Sequence, residues 1–159
     1  MKIENSSIPE RSTLIIGKSG SGKTKLFLDW ILSNGSKEPY SIGHSFYTQK
    51  DKYRIGFFTE HDLILYFSKS EDFEGLLRKV LCLDVLLIDE LFNLYNWNNI
   101  KKQDYILSRY YAFFDFLYCH REIKVIGNSN HKITKIYPDI EDSFLRRIDE
   151  VFTSVLEIN

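Results

Sequence analysis

Residues Gly17-Lys18-Ser19-Gly20-Ser21-Gly22-Lys23-Thr24 carry the spacing G-x-x-x-x-G-K-[ST] without a mismatch. The chemistry this spacing serves is the holding of a phosphate chain. Gly17, Gly20 and Gly22 allow the backbone to curl, so that the amides of the loop, Lys18, Ser19 and Ser21 included, point inward at anionic oxygens. Lys23 has the reach for β- and γ-phosphates, and the Thr24 hydroxyl is suited to ligate Mg²⁺. A helix that starts here turns the positive end of its dipole to the same point.

Three further groups of residues have chemistry to offer. In Val85-Leu86-Leu87-Ile88-Asp89-Glu90 four apolar residues lead into two acids. At the carboxyl end of a buried strand, where open α/β sheets bind ligands, Asp89 would hold Mg²⁺ and Glu90 would orient and deprotonate an attacking water. In Val125-Ile126-Gly127-Asn128-Ser129-Asn130 a second buried strand ends in side-chain amides. Asn128 and Asn130 both qualify to hydrogen-bond a terminal phosphate or the water, and an ordinary Asn/Ser/Gly turn is the plainer alternative. Arg146-Arg147 precede a last apolar run. An arginine from a neighbouring subunit can stabilise charge on a transferring phosphoryl group, and a surface ion pair with Asp142, Asp149 or Glu150 competes with that reading.

The elements that must position these groups follow from hydrophobic pattern. Residues 1–12 read as a polar lead-in, and 13–159 as one domain. Residues 12–16 form a short β-rich run. Residues 25–32 have helical apolar spacing and stop near Asn34-Gly35. Residues 34–53 read as a long loop with a stray strand at 45–47. Residues 54–58 are a buried strand, followed by a helix that Thr59 caps, with Asp62 completing a weak capping box. A second helix spans 72–81. Residues 85–88 form a strand covered on both faces, 99–120 a long amphipathic helix, 123–126 a strand, 143–148 a short helix and 151–156 the last strand. Strands alternating with helices predict an α/β layered fold with a mostly parallel sheet.

Composition sets limits. The 159 residues suit one domain with a real core. Aromatics reach 15%, with twelve Phe and ten Tyr, so the core is expected to be aromatic. A net charge of -1 gives no global field for nucleic acid, and any such contact needs a local patch. Cys82 and Cys119 lie among apolar residues and read as half-buried core filler. The histidines lack metal-ligand spacing. The polar N-terminus has no signal-peptide core, and no stretch approaches the about 20 apolar residues of a membrane span. The expectation is a cytoplasmic protein with no membrane partner.

Taken in order, the Gly17–Thr24 loop, Leu87-Ile88-Asp89-Glu90, the Asn-bearing strand end and Arg146-Arg147 resemble AAA+ ATPases. The chain looks most like the DnaC/IstB group of helicase loaders and transposition-helper ATPases, in Phe57-Phe58-Thr59-Glu60-His61-Asp62-Leu63, in Asp84–Glu90 and in Ile126–Asn130. The resemblance covers residues 12–157. It implies a P-loop three-layer sandwich with a five-stranded sheet ordered 5-1-4-3-2, and ATP and Mg²⁺ as ligands. It makes Asn130 the preferred sensor and Arg147 the preferred finger in trans, with Arg146 second. Implied partners are further copies of the chain, a replicative helicase or transposase, and single-stranded DNA. Where the group usually has a second Asp, this chain has Glu90. The 34–53 connection is longer than expected, and no C-terminal lid is expected after the last strand.

Basic residues with interleaved aromatics offer places for a single strand: Lys50, Lys52 and Arg54, and Lys101, Lys102 and Arg109 beside Tyr105, Tyr110 and Tyr111. A solvated helix face over an aromatic core is the preferred reading of the second set. Other functions weighed are a nucleotide-gated adaptor with little hydrolysis, a viral-type DNA-packaging ATPase and a small P-loop kinase. Adjacent Asp89-Glu90 points to water as acceptor, which disfavours the kinase.

Overall fold

The computed structural model describes residues 7–33, 44–47, 54–92, 100–136 and 141–158, with 44–47, 100–104 and 135–136 described as backbone alone. The elements run β1 (Thr13–Gly17), α1 (Lys23–Ser33), β2 (His44–Tyr47), β3 (Arg54–Thr59), α2 (Glu60–Phe67), α3 (Ser70–Leu81), β4 (Val85–Asp89), α4 (Ile100–Cys119), β5 (Lys124–Ser129), α5 (Ile133–Ile136), α6 (Asp142–Val151) and β6 (Ser154–Ile158). They build one sheet in the order β2-β3-β4-β5-β1-β6.

Five of these strands are parallel neighbours, β6-β1-β5-β4-β3. This is the expected 5-1-4-3-2 order. The sheet has a sixth strand that the five-stranded expectation leaves out. The short run in the long connection, which the sequence marks only as stray, pairs antiparallel on the free edge of β3, with Ser45 opposite Gly56. The rest of that connection lies outside the described residues.

Alternation along the strands sorts side chains to two faces. Ile15, Val85, Leu87 and Ile126 meet Phe27, Trp30 and Ile31 of α1 on one face. Leu14, Leu86, Ile88 and Val125 meet α2, α3, α4 and α6 on the other. The second face holds most of the aromatic residues. Phe67 packs edge-on against Phe73 and Tyr110, and Phe114 stacks with Tyr110 and Phe92 and meets Phe144 and Phe152 edge-on. The strands being covered on both faces explains their unbroken apolar runs.

Two expectations need correction. Val151 and Phe152 do not open the last strand. Val151 ends α6, and the Phe152 amide donates to Ile148 O, so both apolar side chains point into the core from the end of the helix and β6 begins only at Ser154. Cys82 and Cys119 are both exposed free thiols, not core filler. Each sits where a helix ends: Cys82 caps α3 between exposed Leu81 and buried Leu83, and Cys119 is the last residue of α4 beside half-buried Tyr118.

Candidate active site

β1 lies between β5 and β6, and the glycine loop leaves its carboxyl end. Gly17 is pressed against the last strand: a Cβ there would stand 2.5 Å from Ile158 Cγ1. Gly20 and Gly22 both have positive φ, at 82° and 92°, which glycine adopts without steric cost. Lys23 opens α1 and is buried. Its ammonium donates to Gly17 O at 2.5 Å, Lys18 O at 2.8 Å and Ser21 Oγ at 3.2 Å. The cation therefore sits inside its own loop, on acceptors that phosphate oxygens would replace. Burial pulls the Lys23 ammonium below the usual lysine value, and the charge of Asp89 works against that fall.

β4 brings Asp89 to the same place. The Thr24 hydroxyl lies 3.0 Å and 3.1 Å from the two Asp89 carboxylate oxygens and donates to them. A hydroxyl and a carboxylate side by side are hard oxygen donors. With phosphate oxygens and water to complete an octahedron, the pair suits Mg²⁺. Among the described residues no cluster of three or more His, Cys, Asp or Glu side chains could form an all-protein metal cage.

Glu90 is exposed at the rim of the cleft, in a left-handed conformation with φ 56°. Non-glycine residues rarely adopt it, and such strain concentrates at functional sites. Its amide donates to Asn128 Oδ1 at 2.8 Å. That contact settles the orientation of the Asn128 side chain, because an N–H requires the oxygen end of the amide. Asn128 Nδ2 is left buried without a partner. Asn130 follows β5, in a turn tied by Ser129 Oγ, which bonds both the amide and the carbonyl of His131. Gly20, Lys23, Thr24, Glu90, Asn128 and Asn130 line one open cleft of about 240 Å³.

Two residues of this region were not legible in the sequence in the role they take. Asn128 qualifies there as a phosphate or water ligand, which its unpartnered Nδ2 in the cleft leaves open, but nothing in the sequence shows that its oxygen holds the Glu90 amide. Glu60 reads as part of a helix start, yet it is 4% exposed and receives the Phe92 amide and the Tyr110 hydroxyl. The sole hint is its place two residues after the run 55–58. Tyr110 is fully buried, and burial together with the Glu60 charge pushes its hydroxyl well above the ordinary tyrosine value.

The arginines are placed differently from each other. Arg147 donates to Glu150 at 2.9 Å, pairs with Asp115 at 3.1 Å and lies over the Tyr118 ring at 3.9 Å. It is thus occupied within its own chain, whereas Arg146 is exposed. Of the basic–aromatic set, Tyr110 is wholly inside the core and has no face for a base. Arg109 is sandwiched between Phe73 and Tyr105 and bonds Ser70 Oγ and the Tyr105 hydroxyl. Tyr111 is half-buried against Phe144. Arg54 is exposed at the start of β3. The side chains of Lys50, Lys52, Lys101 and Lys102 lie outside the described residues.

No protein-family model and no curated protein sequence matches the chain. Solved structures do. AMPPCP-bound DnaA from Aquifex aeolicus superposes with a TM-score of 0.63 at 18% identity, over 97% of this chain and 41% of that one. DnaI superposes with a TM-score of 0.58 at 14% identity, over 94% of this chain and 70% of that one. The AAA domain of FIGL-1 gives 0.53 at 19% identity, over 94% and 43%. The chain spans about two fifths of the length of the two AMPPCP-bound DnaA structures it matches. These likenesses show that the chain has the α/β P-loop fold of AAA+ type.

Proposed function

We propose that the protein binds ATP with Mg²⁺ and hydrolyses it, and that assembly of several copies governs turnover. The observation that carries this reading is the Thr24–Asp89 contact beside the buried Lys23, with Glu90 at the rim of the same cleft. Loop amides and Lys23 take the β- and γ-phosphate oxygens. Thr24 and Asp89 hold Mg²⁺, which when bound neutralises charge on those oxygens. Glu90 accepts the proton of an attacking water. Asn130 donates to the terminal phosphate. The Arg146-Arg147 pair serves a neighbouring copy, with Arg146 the member that is free to reach it.

The setting of this activity is DNA replication or transposition, through a helicase, a transposase or single-stranded DNA. The resemblance to helicase loaders and transposition helpers supports this, as does the likeness to a DnaA solved with AMPPCP and single-stranded DNA. The second reading is a nucleotide-gated adaptor that hydrolyses slowly. It draws support from Arg147, which is spent on Asp115 and Glu150.

The test is ATP turnover per subunit against protein concentration, with and without single-stranded DNA. Turnover that rises with concentration supports an assembling ATPase. Glu90→Gln is expected to keep nucleotide affinity and lose about 10²-fold or more in kcat. Flat, near-zero turnover under every condition would favour the adaptor.

A further inference from the structure

Three consecutive amides follow the end of β4, and each is received by a different acceptor. The Glu90 amide donates to Asn128 Oδ1 at 2.8 Å, the Leu91 amide to Asn128 O at 2.7 Å, and the Phe92 amide to Glu60 Oε2 at 2.5 Å. Glu90 and Phe92 both have positive φ, at 56° and 60°, and among the described residues they are the two non-glycine positions that do. Such a turn persists only where its surroundings over-determine it. β5 supplies one side of that constraint, through Asn128. α2 supplies the other, through Glu60.

Glu60 is the first residue of α2, and its carboxylate is buried where the helix dipole favours an anion. Burying a carboxylate is costly unless donors surround it. Here the donors are the Phe92 amide and the Tyr110 hydroxyl, the latter at 2.9 Å. Tyr110 stacks against Phe92 and Phe114, so its hydroxyl cannot follow the carboxylate if that moves. Glu60 does not line the cleft. It reaches the site through the backbone two residues after Glu90.

The geometry points to Glu60 as a positioning residue for hydrolysis: with Asn128 it locks the backbone of residues 90–92 and so aims the Glu90 carboxylate into the cleft. This inference rests on the reading of Glu90 as the base that activates water. Without an acceptor from Glu60, Phe92 loses its reason to hold positive φ. The turn then relaxes, and Glu90 swings from its line. A displacement of about 1 Å in a reacting group can cost up to about 10²-fold in rate.

The experiment compares wild type, Glu90→Gln, Glu60→Gln, Glu60→Asp and Glu60→Ala. Nucleotide Kd, kcat, KM and thermal unfolding are measured on the same preparations, with kcat expressed per folded molecule. Glu60→Gln keeps a carbonyl that can accept both bonds, and kcat is expected within about threefold of wild type. Glu60→Asp keeps the charge but withdraws the acceptor by about 1.5 Å. Its kcat is expected to fall about tenfold or more while KM and Kd stay within about twofold. If Glu60→Ala does not fold, Glu60→Asp carries the test. Wild-type kcat in folded Glu60→Asp overturns the inference. So does a loss confined to KM and Kd, or Glu60→Gln falling as far as Glu60→Asp. If Glu90→Gln turns over like wild type, the reading of Glu90 as the base fails, and the role of Glu60 fails with it. If Glu90→Gln is inactive and Glu60→Asp is not, only the positioning role is lost.

Discussion

At the scale of single residues, the site depends on charges that are placed inside and then satisfied. Lys23 rests on loop carbonyls and Glu60 on an amide and a hydroxyl. Neither can be left bare, because a buried unpaired charge costs several kcal/mol. Tyr110 carries a consequence that can be measured. Its folded-state pKa stands above the unfolded value near 10.0. A group with a raised folded pKa contributes stability that is complete below the unfolded pKa and is lost as pH rises through the range between the two. Wild type is therefore expected to lose stability above pH 10 more steeply than Tyr110→Phe, by about 1.4 kcal/mol per pH unit when the effect is fully developed. Urea unfolding of both proteins from pH 8 to 11 checks this. Parallel curves would mean that the Tyr110 hydroxyl is not held neutral by the fold.

At the scale of elements, the strand ends set the geometry and the helix starts hold it. Thr59 ends β3, pairs in register with Asp89 and caps α2. Its hydroxyl accepts from the Asp62 amide at 3.1 Å, while Asp62 Oδ2 receives the Thr59 amide at 3.0 Å. This capping box is local, so Thr59 and Asp62 announce it in the sequence three residues apart. Thr59→Ala is expected to cost about 1 kcal/mol of stability by chemical denaturation. It should also lower kcat, since the first turn of α2 carries Glu60. A loss of stability with unchanged kcat would show that the start of α2 tolerates movement without disturbing residues 90–92.

At the scale of the whole molecule, the sheet collects the site from distant segments and the helical layers fix what is left for a partner. Arg146 and Arg147 are adjacent in sequence, yet α6 packs against α4 so that Arg147 meets Asp115 and Tyr118 while Arg146 faces solvent. The two variants should therefore differ in kind. Arg147→Ala is expected to lower the Tm of the isolated chain. Arg146→Ala is expected to leave the Tm unchanged and to remove any rise of turnover with concentration, by about 10³-fold if it acts as a finger in trans. Turnover of Arg146→Ala that climbs with concentration as in wild type would exclude that role for Arg146 and return it to Arg147.

The sequence by itself determined the parts whose information is local. The spacing of residues 17–24 calls for a strand, a loop and a helix start, the unbroken apolar run at 85–88 calls for a strand covered on both faces, and 123–126 reads as a further strand. Together they imply a mostly parallel sheet, while the strand order that the sheet has is what the resemblance to AAA+ ATPases implies. The tertiary structure alone decided the contacts that cross long stretches of chain. The Phe92 amide finds Glu60 across 32 positions, and the Glu90 amide finds Asn128 across 38. No periodicity encodes such pairs, because each depends on which strand lies beside which. The same holds for the antiparallel edge strand β2: the sequence marks 45–47 only as a stray strand, and its pairing follows from the free edge that β3 offers. It holds for the cysteines too, since a helix end decides whether a small apolar-flanked residue points inward or to water.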